Sequence, residues 1–129
     1  MGRSPSGLLI LALLASLPGG LVHAASNFDG NWTGNGTSQS YACGLEVYAL
    51  TVRDGKVSGQ MTYDSVQGGV FVSDATGEIG ADGQAHIQLA AETADARTSA
   101  LTGRFSATTF SGIDQGRKCS YDVELKHTH

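Results

Sequence analysis

The sequence predicts an all-β protein: a small antiparallel up-and-down barrel of about eight or nine short strands with one disulfide, a β-sandwich being the alternative arrangement. Three observations predict it. After residue 24 no stretch places apolar residues at helical three-and-four spacing behind a cap. Apolar and polar residues instead alternate in short runs punctuated by glycine-rich turns. Finally, Cys43 and Cys119 are the only two cysteines, and they stand far apart.

The first 24 residues read differently. Arg3 and the free amine precede a largely apolar run from Leu8 to Leu17, which ends at Pro18-Gly19-Gly20 and is too short to span a bilayer. Val22-His23-Ala24 places small residues where a signal peptidase reads, so residues 1–24 are expected to be a signal peptide. Cleavage after Ala24 is preferred over cleavage after Ala25. Residues 25–129 then form one domain. An exported chain reaches an oxidising compartment, where Cys43 and Cys119 are expected to pair. Loss of Arg3 leaves seven basic and twelve acidic side chains, a net charge of −5. That balance, with Lys and Arg scattered, excludes a nucleic-acid partner, and no membrane insertion is expected once the signal is removed.

Strands are expected over 31–39, 45–53, 56–63, 69–73, 75–80, 84–90, 100–107, 108–112 and 119–126. Asp54-Gly55 and Asp82-Gly83 each lie between alternating runs, the strongest short-range hairpin signal. Paired residues must face the same side, so parity tests the turn. A two-residue loop at Asp54-Gly55 sets Glu46 beside Tyr63. A three-residue loop, Arg53-Asp54-Gly55, aligns Cys43, Leu45, Val47 and Ala49 with Val57, Gly59, Met61 and Tyr63, and this more apolar face is the expected one. The same loop at Ala81-Asp82-Gly83 puts Ala75, Gly77 and Ile79 opposite Ala85, Ile87 and Leu89. Leu101, Gly103 and Phe105 share one face, as do Cys119, Tyr121, Val123 and Leu125. Each cysteine is thus expected on the apolar face of its own strand.

No motif assigns a chemistry. Gly-x-Ser-x-Gly, His-Glu-x-x-His, a phosphate loop and zinc spacing are all missing from the sequence, so no catalytic residue, metal or cofactor is expected. His86 falls on a polar face with Gln84 and Gln88, and His127 and His129 are expected on a frayed C-terminus. Turns account for Asp54, Asp82 and Asp114, the last within a turn over 113–116; solvent-facing strand positions account for Glu46, Asp122 and Glu124. Asn31-Trp32-Thr33 and Asn35-Gly36-Thr37 fit the glycosylation pattern. Tyr41, Tyr48, Phe71 and Phe110 are expected in the core, with an exposed binding rim as the alternative.

Phe28-x-Gly30-x-Trp32-x-Gly34, the repeated Asp-Gly hairpin with Asp54-Gly55-x-Val57-x-Gly59, Leu101-x-Gly103-x-Phe105, and the two cysteines together resemble small exported bacterial proteins of unassigned function. That resemblance implies a periplasmic barrel and transfers no functional residue. Gly30-x-Trp32 is also similar to the first strand of lipocalins and avidins, whose Trp packs near the closed end or in the ligand cup. Small periplasmic inhibitors of proteases and lysozymes share the size and the disulfide-closed barrel. The expected function is therefore a non-enzymatic binding protein of the bacterial envelope with an unknown small ligand or protein partner, the alternative being a protein-directed inhibitor or accessory factor.

Overall fold

In the computed structural model, residues 27–92, 98–116 and 118–128 are described. The expected signal segment, Arg97, Arg117, His129 and most of the connection over 92–99 lie outside them. Eight antiparallel strands close a barrel in chain order: β1 (Gly30–Thr37), β2 (Leu45–Arg53), β3 (Lys56–Asp64), β4 (Val70–Ile79), β5 (Gln84–Ala91), β6 (Ser99–Phe105), β7 (Thr109–Gln115) and β8 (Ser120–Thr128). Pairing of β1 with β8 completes the ring, from Asn31 opposite Thr128 to Thr37 opposite Asp122. The up-and-down barrel is thus the fold, and no sheet edge remains open.

The two Asp-Gly hairpins turn differently. At the second, Ile79 pairs with Ala85, Gly77 with Ile87 and Ala75 with Leu89, as parity predicts. Gly83, at φ 90°, closes that three-residue loop by donating its N–H to Gly80 O at 3.0 Å. At the first, Arg53 pairs with Lys56 across a two-residue loop in which Asp54 and Gly55 both have positive φ, 52° and 77°. This is the primed turn whose twist matches the flanking strands, and it overturns the expected three-residue loop. Parity misleads there because β2 is apolar on both faces. Leu45, Val47 and Ala49 face outward, and Glu46, Tyr48, Leu50 and Val52 face inward.

Three further corrections follow from continuous pairing. The strands expected over 69–73 and 75–80 are one strand, since Asp74 pairs with both Gln60 and Ala90 without a break. Strand β7 runs past Gly112 to Gln115, so Asp114 lies in a strand; the turn comes later, where Gly116 N–H donates to Cys119 O at 3.0 Å. Cys43 precedes β2 and sits in the β1–β2 connection, whereas Cys119 shares the inward parity of Tyr121 and Val123.

One end of the barrel is packed solid. Trp32 is fully buried, donates its indole N–H to Phe28 O at 3.0 Å, and meets Phe105 edge-on at 4.8 Å. Phe110 packs against Phe105 at 4.6 Å, in space left by the paired glycines Gly103 and Gly112, where an added Cβ would come within 2.7 Å of its ring. His127 is not frayed: it belongs to β8, directly opposite Trp32, and the two rings stack at 4.4 Å. Its ring nitrogens lie 2.9 Å from Asp29 O and 3.2 Å from Ala107 O. At the other end, Cys43 and Cys119 form the expected disulfide, with Cα atoms 5.9 Å apart and a separation of 76 positions in sequence. The β1–β8 seam is therefore clamped at both ends.

Trp32→Ala is expected to destabilise the fold by about 3–5 kcal/mol through lost burial and the cavity left behind, read by chemical denaturation. Replacing both cysteines by serine is expected to lower stability by about 4–5 kcal/mol, the chain-entropy value for a loop of this length, with the strand circular dichroism retained at low temperature.

Candidate functional site

Alternation carries one inward side chain from every second strand position, and the size of those residues differs between the barrel's two ends. On β1 the inward positions run from Trp32 at the packed end to Gly34 and Gly36 at the disulfide end. On β7 they run from Phe110 through Gly112 to Asp114. On these two strands smaller residues replace large ones toward the disulfide, and the barrel opens there into a cup of about 340 Å³. Volumes of this order suit a small ligand. Met61, Tyr63 and Phe71 form one wall, Tyr121 and Cys119 another, with Glu46, Ser73 and Asp114 also lining the cup.

Three polar side chains interlock at its base. Tyr48 is 1 % exposed, Glu46 3 % and Asp114 1 %. The Tyr48 hydroxyl donates to Glu46 Oε1 at 2.7 Å and lies 3.3 Å from Asp114 Oδ2. Asp114 Oδ1 is buried with no hydrogen-bond partner among the described residues. Gly36 makes this possible, because a Cβ at that position would come within 2.6 Å of Glu46 Oε1 and 3.2 Å of Val123 Cγ2. Burial, then the charges of Glu46 and Asp114, push the Tyr48 phenol far above its ordinary value, so it stays a neutral donor. Higher up, the Tyr63 hydroxyl accepts the N–H of Gly44 at 3.1 Å, tying the wall to the loop that carries Cys43.

Glu46 and Asp114 were expected on a solvent face and in a turn; both are inside. Of the four aromatics considered for a rim, Tyr48 and Phe110 are buried, Phe71 stands exposed at the mouth, and Tyr41 projects into solvent, 98 % exposed. His86 faces outward as expected. The signal for Glu46 was present in the sequence: a two-residue turn at Asp54-Gly55 sends Glu46-x-Tyr48-x-Leu50-x-Val52 inward together. Nothing comparable marks Asp114, whose partners lie on other strands. Among the described residues no group of three or more His, Cys, Asp or Glu could hold a metal, and no helix is long and apolar enough to cross a membrane.

The fold and cup define a class, a closed eight-stranded barrel packed at one end and hollow at the other. Comparison of the chain with protein-family models, curated proteins and solved structures finds no match.

The raised Tyr48 phenol has a consequence in alkali. Its folded value exceeds the ordinary 10.0, so above pH 10 the unfolded chain gives up a proton that the folded chain keeps. This contribution to stability is whole below pH 10 and falls above it, by about 1.4 kcal/mol per pH unit. Tyr48→Phe is expected to flatten that fall in denaturation curves, and to leave unchanged the amplitude of the phenolate absorbance titration of the folded protein.

Proposed function

We propose that the chain is an exported, non-enzymatic binding protein of the bacterial envelope that holds a small ligand in the cup. The observation that carries this reading is the uneven filling of the barrel: aromatic packing at the Trp32 end, a cavity of about 340 Å³ at the disulfide end. A closed barrel that needed only stability would fill both ends, since filling the cup would bury further apolar surface. The likeness of Gly30-x-Trp32 to the first strand of lipocalins and avidins agrees with the place of Trp32 beneath the cup. Export is supported by the leader-like first 24 residues and by the disulfide. Outward positions such as Thr33, Gln60, Thr76, Gln88, Arg104 and Lys126 are polar while the interior is apolar, the reverse of a barrel that faces lipid.

A protein-directed inhibitor or accessory factor is the second reading, favoured by one observation. Leu45, Val47, Val66 and Val70 are exposed near the mouth on the outer face of β2, β4 and their connections. Against a projecting inhibitory loop, the β3–β4 connection is tight, with Ser65 N–H donating to Gly69 O at 3.0 Å and Gly68 N–H to Ser65 O at 3.1 Å.

The oxidised chain from Ala25 onward, used as bait in envelope extract and read by mass spectrometry, is expected to retain a small molecule at one per chain. Ser73→Phe, which fills the cup, is expected to lose it while keeping the strand signal. A stoichiometric protein with no small molecule would overturn this reading in favour of the second.

A further inference from the structure

The cup holds a buried unsatisfied acceptor, which bears on function only on the reading that the cup is a small-ligand site. The Tyr48 hydroxyl oxygen lies 2.7 Å from Glu46 Oε1, to which it donates, and 3.3 Å from Asp114 Oδ2. Asp114 lines the cavity, is almost completely buried, and has one oxygen without a donor among the described residues. Tyr48 has no second proton to offer. A buried acceptor left in this state costs free energy, and the donor that relieves it can arrive in the cavity itself.

We propose that the cup binds a small organic cation, an ammonium or amidinium head on a short aromatic or aliphatic body, whose charged head donates to Asp114. The walls suit such a ligand. Tyr63 lies 6.4 Å from Phe71 and, edge-on, 6.4 Å from Tyr121, so aromatic surface lines the path to the acids, and ring faces attract cations. None of the described residues lining the cup is Lys, Arg or His. The chain's net charge of −4 also favours a cation's approach. An anion of the same shape would meet the unsatisfied Asp114 oxygen.

Calorimetric titration of the disulfide-bonded chain at neutral pH tests this with four probes of similar size: phenethylammonium, benzamidinium, phenethyl alcohol and phenylacetate. At least one of the cations is expected to bind at least about tenfold more tightly than the alcohol, and phenylacetate not to bind. Asp114→Asn is expected to erase the advantage of the cation over the alcohol, while Glu78→Gln, on the outer face, leaves it unchanged. If Asp114→Asn does not fold, the comparison of cation with alcohol on the unaltered chain decides alone.

Equal binding of cations and alcohol would overturn the proposal and leave the cup a ligand site; binding of none of the four would overturn it too, the cup itself then standing or falling on the retained small molecule.

Discussion

Everything in this molecule depends on the seam between β1 and β8. Seven other strand pairs join neighbours in sequence, but this one joins the two ends of the domain, with Thr128 Oγ1 donating to Asn31 O across 97 positions. Closing so long a loop costs chain entropy before any contact repays it. The seam is reinforced at both ends. At one end Trp32 stacks on His127, the residue directly opposite it, and at the other the disulfide joins the loops that flank the seam. Between these clamps the inward side chains of β1 are glycines, which let neighbouring strands send their own side chains across.

The cup depends on that closure. Tyr48 and Glu46 stand on β2 and Asp114 on β7, strands that meet only because β8 and β1 lie paired between them. The hydrogen-bonded acids therefore belong to the closed barrel and not to any single hairpin. Burying two carboxylates beside one phenol is a poor way to stabilise a domain with so few large aliphatic side chains. The same space filled as the Trp32 end is filled would hold the barrel together better.

The described strands were largely legible from alternation, because a period of two survives in almost every one. The Ala81-Asp82-Gly83 turn and the inward faces of β5, β6 and β8 are as parity predicts. Where β2 is apolar on both faces, parity chose wrongly: Asp54-Gly55 takes the two-residue primed turn that Asp-Gly favours, whereas Asp82-Gly83 follows parity into a three-residue loop. Reading Asp114 as a turn residue failed for a different reason. Asp followed by Gln-Gly looks like a turn locally, and only continued pairing of β7 with β6 and β8 keeps it in the strand.

By itself the sequence determined the all-β class, the strand-and-turn rhythm and the pairing of its only two cysteines, since each of these is written in residue type and spacing within a few positions or in a count of two. The tertiary structure decided which way β2 faces, that the barrel is packed at one end and hollow at the other, that His127 is pinned to Trp32, and that Glu46, Tyr48 and Asp114 meet. Those outcomes depend on residues brought together around a closed ring, and a linear pattern carries no term for which strand lies across the barrel from which.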